Sequence, residues 1–171
     1  MGPFAFPMRA VVVTVSTSRA REGDASPDEA GDRLEDWART IGCETVRREL
    51  VPDDPDAIAT LFSSVADGGG WDLVLSTGGT GFSPDDRTPE ATLAVVDRLA
   101  PGLAEAMRLA SADQTPHWML SRGVAGSRAG CLIVNFPGSP KSIETAGRAI
   151  ELALPHAVAQ LRGSQGGHIQ G

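Results

Sequence analysis

Apolar and polar positions along this chain switch repeatedly between two periodicities. Residues 10–15 form an almost continuous β-branched run, which predicts a strand buried on both faces. A polar stretch at 16–27 reads as a loop. Beyond it Ala30, Leu34, Trp37, Ala38 and Ile41 recur at helical spacing, with Gly42 where a helix C-cap places glycine. Residues 45–51 predict a second strand, ended by Pro52, Asp53, Asp54 and Pro55. Ile58, Leu61, Phe62 and Val65 mark a second helix, stopped by the glycines at 68–70. A third strand at 72–76 runs straight into Thr77-Gly78-Gly79-Thr80-Gly81. Thr88, Pro89 and Glu90 read as the N-cap, N1 proline and first-turn acid of a short helix ending near residue 97. Residues 101–112 predict another helix, with Leu103, Met107 and Ala110 on one side, whereas 118–126 show no regular pattern. Residues 131–136 predict a further buried strand. Ser139 as N-cap and Pro140 at N1 then open a last helix reaching about residue 161.

Strand and helix alternate from end to end, which implies a mainly parallel sheet with helices on both faces. The fold expected is a doubly wound α/β domain of three layers. The ends are different in kind. Residues 1–8 carry two prolines and a glycine, and 163–171 are glycine-rich, so both read as flexible segments around one domain at 9–162.

Composition adds exclusions. With 15 basic and 22 acidic residues the 171-residue chain carries a net charge of −7, which argues against a nucleic-acid binder that needs a basic face. Lys141 is the single lysine and follows Pro140, so the Gly-Lys-Ser/Thr of a P-loop is absent. No apolar run approaches the ~20 residues of a membrane helix, and the first eight residues lack signal-peptide features. A soluble cytoplasmic protein with no membrane partner is the expectation. Cys131 lies in an apolar run and reads as a small core residue; it is far from Cys43, and a reducing compartment suits both. The histidines are scattered, with no pair spaced as metal ligands.

In doubly wound sheets ligands bind beyond the carboxyl ends of the strands. Four unusual segments fall there: 16–19, 52–54, 77–86 and 138–141. In the 77–81 loop, glycines let main-chain amides approach an anion and two threonine hydroxyls add donors, so a phosphate or carboxylate is a natural guest. A tight strand-to-helix turn needs glycine for its dihedrals alone, and the loop by itself leaves both readings open. Ser139, Pro140 and Lys141 offer a second anion site at a helix N-terminus, or an ordinary cap. Asp53 and Asp86 are the carboxylates of interest, because carboxylates beside a phosphate usually hold Mg²⁺. Asp54 and Asp85 are their sequence neighbours, and a turn or cap role competes for any of the four. Arg19, Arg87 and Arg122 read as ligand cations or as solvated surface, and solvated surface is the simpler reading for each. Trp71 and Trp118 read as core or interface rather than stacking platforms.

Several motifs then occur in order: Val51-Pro-Asp-Asp54, Thr77-Gly-Gly-Thr-Gly81, Asp86-Arg-Thr-Pro-Glu-Ala-Thr92, Pro101-Gly-Leu-Ala-Glu-Ala-Met-Arg108, Leu120-Ser-Arg122 and Asn135-Phe-Pro-Gly-Ser-Pro-Lys-Ser142. This series resembles the MogA/MoaB family of molybdenum-cofactor biosynthesis proteins, and the G domain of gephyrin and its plant counterpart, over about residues 10–160. The resemblance implies a molybdopterin-binding fold that takes ATP and molybdopterin as substrates and Mg²⁺ as cofactor. It implies adenylyl transfer to the molybdopterin phosphate, with release of pyrophosphate, before molybdate insertion. By the same resemblance Thr77, Gly78, Gly79, Thr80 and Gly81, with Ser83 and Thr88, hold the phosphate end. Asp53 and Asp86 match the family's two essential aspartates, as catalytic residues and metal ligands. Ser121 matches a serine near the pterin, and Gly138, Ser139 and Lys141 match the proline-glycine loop at the rim. The family assembles as trimers or hexamers, and other cofactor-biosynthesis proteins are the expected partners. One departure is Arg87, where the family usually has valine. Two further readings stay open at this point: a non-catalytic pterin-binding scaffold, and a nucleotide pyrophosphatase similar to CinA.

Overall fold

The structure, a computed structural model, describes residues 6–22 and 27–163. Four parallel strands lie side by side in the order β2 (Cys43–Val51), β1 (Met8–Val15), β3 (Leu73–Thr77) and β6 (Cys131–Phe136). Two antiparallel strands, β5 (Ala125–Arg128) and β4 (Arg98–Leu99), complete the sheet beyond β6. Strand direction of travel reverses at β1: the chain goes outward to β2 and then returns to add β3 on the other side. That switch point opens a crevice between the ends of β1 and β3, where open sheets of this kind bind ligands.

Alternation along each strand sorts the core into two faces. Ala10, Val12, Leu73, Leu75 and Phe136 face α2 (Glu29–Thr40), α5 (Pro101–Ala110), α6 (Pro140–Ile150) and α7 (Ala153–Leu161), through Leu34, Trp37, Met107, Ile143 and Leu154. Val11, Val13, Val74 and Ile133 face α3 (Pro55–Asp67) and α4 (Thr88–Val95), through Ile58, Phe62, Ala91 and Val95. The expected three-layer, doubly wound arrangement is present. Cys43 and Cys131 are both buried, and burial pushes their thiols up to about 12, so neither is a thiolate at neutral pH.

Local departures from the sequence reading have physical causes. Residues 17–22, expected in a loop, form α1 (Thr17–Glu22), a helix with no buried residue and therefore no apolar signature. The last helix is two, because Pro155 at the third position of α7 has no N–H and cannot extend α6. Thr88 is not an N-cap: Arg87 occupies that position, Thr88 is already helical, and its hydroxyl donates to the Gly78 carbonyl at 2.9 Å. The boundary at residue 8 also moves. Met8 is fully buried in β1, and Arg162 holds Asp72 at 2.6 and 2.7 Å while donating to the Pro7 carbonyl. The expected flexible segments at 1–5 and 164–171 lie outside the described residues.

A polar cluster fixes α2 to the sheet. Asp28 caps the helix through the Gly31 N–H at 3.0 Å, accepts the Thr14 hydroxyl at 2.5 Å and pairs with Arg48 at 2.6 Å. Burial opposes ionisation of Asp28, yet the bonds from Thr14, Gly31 and Arg48 together hold its carboxyl below the usual range. Asn retains the cap and lacks the charge. Asp28→Asn is therefore expected to lower stability by about 1–3 kcal/mol at pH 7 in urea unfolding. A depressed carboxyl contributes stability above its unfolded value and loses it as pH falls through the folded one, so the gap should narrow below about pH 4. A gap constant from pH 7 to pH 3 would contradict the ionic origin.

Candidate active site

The loops after the four parallel strands converge on one rim, joined in pairs by hydrogen bonds. Behind β1 and β2, the Thr17 N–H donates to Asp53 Oδ2 at 2.7 Å and the Thr17 hydroxyl accepts from the Asp53 N–H at 2.9 Å. Behind β3 and β6, the Thr77 hydroxyl donates to the Pro137 carbonyl at 2.8 Å. Gly78 lies between these two joints. Its φ of +98° belongs to the left-handed region, and a Cβ there would stand 2.5 Å from the Val15 carbonyl oxygen. The same glycine lies against the proline-glycine loop, since a Cβ on Gly138 would be 3.4 Å from the Gly78 Cα.

These bonds change the reading of the threonines. Thr77 and Thr88 are buried and their hydroxyl protons are committed to the Pro137 and Gly78 carbonyls. Thr77, one of the two loop threonines expected to add donors, thus helps hold the 77–81 loop in shape, as does Thr88. Thr80 is also buried, and its carbonyl accepts from the Arg122 N–H at 2.9 Å.

The aspartates separate cleanly. Asp54 accepts the Ala57 N–H at 2.8 Å and caps α3, which leaves Asp53 half-buried on the rim. Asp86 closes a tight turn, its Oδ2 accepting from the Ser83 N–H at 3.0 Å, beside Gly81. Asp85 is exposed next to it. Asp53 and Asp86 each rest one oxygen on a main-chain amide, and their Oδ1 atoms have no hydrogen-bond partner among the described residues. No group of three or more His, Cys, Asp or Glu able to hold a metal occurs among the described residues. Mg²⁺ is commonly bound by one or two carboxylates, with phosphate oxygens and waters completing its octahedron, and the two aspartates fit that donor set.

Next to the rim is a cavity of about 170 Å³ between α5 and α6, walled by Met107, Arg108, Trp118, Ser121, Asn135 and Pro137 among others. An apolar cavity of about 150 Å³ holds a benzene ring, so this one has room for a flat ring system only in part. Ser121 therefore faces a ring-sized space continuous with the end of β6. Trp118, expected in core or interface, is half-buried on the wall. Arg108 points a guanidinium at the same wall, donating to the Gly123 carbonyl at 2.9 Å. Gly138 and Ser139 are exposed at the rim, and Ser139 makes no side-chain cap bond. Lys141 is turned elsewhere: it lines an open groove with Glu29, Arg33 and Glu144.

A match to the family described as a probable molybdopterin binding domain covers residues 11–156. The chain belongs to this family. A crystal structure of the molybdopterin biosynthesis enzyme MoaB from Thermus thermophilus superposes with a TM-score of 0.84 at 42% identity, covering 92% of this chain and 98% of that one. A molybdopterin adenylyltransferase of Helicobacter pylori is 41% identical over 116 residues, 68% of this chain and 66% of that protein. A molybdenum cofactor biosynthesis bifunctional protein of Synechococcus elongatus is 32% identical over 163 residues, 95% of this chain. The chain spans about half the length of that bifunctional protein.

Two residues quoted in the sequence motifs make contacts that the sequence alone did not assign. Arg122, read as solvated surface, pairs with Glu90, and that bond holds the Glu90 carboxyl below the usual range. Asn135 is buried at the end of β6. It donates to the hydroxyls of Ser76 and Thr92 at 3.0 and 2.9 Å and accepts from the Val124 N–H at 3.1 Å. It thus ties β3, α4 and the cavity wall together. Asn135→Leu keeps the size but leaves these buried groups unpaired, and about 2–4 kcal/mol of stability is expected to go in chemical denaturation.

Proposed function

We propose that this domain transfers the adenylyl group of ATP to the terminal phosphate of molybdopterin. A phosphate oxygen of molybdopterin attacks the α-phosphorus, the bond to the β-phosphate bridging oxygen breaks, and pyrophosphate leaves with that electron pair. The product is an AMP–molybdopterin phosphoanhydride. Supporting the reading is one observation above others: two carboxylates fixed on main-chain amides share a rim with a glycine loop and a ring-sized cavity. The names of the relatives agree with it.

Two polyanions must meet in a protein of net charge −7, so positioning and charge neutralisation matter more than a strong base. In this reading the 77–81 main chain binds and aims the attacking phosphate, and the cavity beside Ser121 takes part of the pterin ring system. Gly138 and Ser139 border the phosphate path. Asp53 and Asp86 would hold Mg²⁺, which when bound offsets the charge of the phosphate oxygens. Lys141 lies in its groove outside this set. The remaining parts of the proposal are a cytoplasmic location, assembly into trimers or hexamers, and delivery of the product to a molybdate-inserting protein.

The test is a pyrophosphate-release assay with Mg²⁺-ATP, with and without molybdopterin. Release that depends on both substrates supports the transferase. Tight molybdopterin binding without release indicates the scaffold, and release from dinucleotides without molybdopterin indicates a pyrophosphatase.

A further inference from the structure

Arg122 connects three parts of the site that no other side chain joins among the described residues. Its main-chain N–H donates to the Thr80 carbonyl at 2.9 Å, its side-chain Nε to the Gly81 carbonyl at 2.8 Å and its Nη2 to the Asp86 carbonyl at 2.9 Å. Nη1 pairs with Glu90 on α4, and the guanidinium stacks over the Phe82 ring at 5.3 Å. These anchors sit at both ends of the Thr80-to-Asp86 segment. Between them residues 82–85 are exposed, and the bonds within the segment close a single tight turn, Ser83 with Asp86. Such a turn can move as a unit unless its ends are held from outside. On the other side, Ser121 and Gly123, the immediate neighbours of Arg122, both line the cavity.

We infer that Arg122 is a positioning residue that fixes the Asp86 turn relative to the ring cavity, acting through the loop main chain and not by touching the reacting atoms. The inference rests on the proposed adenylyl transfer for its kinetic consequence, and on geometry alone for its structural one. The planar guanidinium reaches two carbonyls and a carboxylate from one side chain, whereas a lysine ammonium on a flexible stem keeps the charge and the main-chain bond to Thr80 but loses the fork.

The experiment compares the full chain with Arg122→Lys, and with Glu90→Gln, which removes the ion pair but leaves the carbonyl contacts. Amide exchange in Arg122→Lys is expected to quicken at least roughly 10-fold across residues 81–86, with β1, β3 and β6 unchanged. With Mg²⁺-ATP and molybdopterin, kcat should fall about 10²-fold, the effect of a catalytic group misplaced by about 1 Å, while KM for molybdopterin stays within about 3-fold. Glu90→Gln should lower kcat less than about 5-fold. Arg148→Gln, which breaks a surface pair with Glu144, should leave activity unchanged.

Faster exchange spread equally over the sheet would make Arg122 a general stabiliser and overturn the inference. Loop exchange like that of the unaltered chain, or faster loop exchange with unchanged kcat, would overturn it as well. If the unaltered chain shows no adenylyl transfer, the kinetic arm fails with the proposed function. The exchange arm still decides whether Arg122 holds the turn.

Discussion

Asp86→Asn is expected to lower adenylyl transfer about 10³-fold while leaving molybdopterin binding within a few-fold. The substitution is nearly isosteric, and the asparagine oxygen can still accept the Ser83 N–H that Asp86 accepts at 3.0 Å. The turn beside Gly81 should therefore keep its shape. What disappears is a negative charge on the rim where the proposed reaction brings ATP and the molybdopterin phosphate together, and with it one of the two proposed Mg²⁺ ligands. The loss should appear in kcat rather than in KM, because the carboxylate is asked to act on the reacting phosphates and not on the ring in the cavity. Unchanged activity in a folded, pterin-binding Asp86→Asn protein would remove Asp86 from the machinery.

The second large effect is expected at Gly78. A Cβ at this position meets the Val15 carbonyl oxygen at 2.5 Å, in a backbone conformation of φ +98° that alanine adopts only at a cost. Relief would require β1 and β3 to separate at the switch point, or the 77–81 loop to leave its path between Val15 and Gly138. Gly78→Ala is therefore expected to cost about 2–4 kcal/mol in urea unfolding and to weaken phosphate-end binding more than ring binding. Gly102→Ala provides the contrast. That glycine lies in the first turn of α5 with nothing within 4 Å of an added Cβ, so alanine there should be neutral or stabilising by up to about 1 kcal/mol. Equal effects at the two positions would contradict the geometric account.

Much of the fold was legible because buried parallel strands advertise themselves as β-branched runs. Val11 to Val13, Leu73 to Leu75 and Leu132 to Val134 are buried among apolar residues on both faces, and each is visible as an unbroken apolar string. What carried no such signal was missed. β5 is built of small residues and arginine, β4 has two exposed residues, and α1 buries nothing. The glycine loop was legible for a similar reason, since Gly78 occupies a place that excludes any side chain.

Roles that depend on distant partners were not. Asp53 and Asp54 are indistinguishable until a helix start assigns the cap to Asp54 and the Thr17 amide to Asp53. Arg122 resembles any surface arginine until its guanidinium meets carbonyls 36 and 41 residues earlier in the chain. Thr77 and Thr88 look like free donors in a list of residues, whereas the folded chain has already used both hydroxyls. Polar side chains acquire their function from contacts that no local pattern encodes.

The most direct measurement follows the label from α-³²P-ATP in a single turnover with molybdopterin and Mg²⁺. The account predicts that the label moves into a molybdopterin product in step with pyrophosphate release, and that Asp86→Asn stops both. Label that stays in ATP while molybdopterin is tightly bound would contradict adenylyl transfer and leave a domain that only binds the pterin.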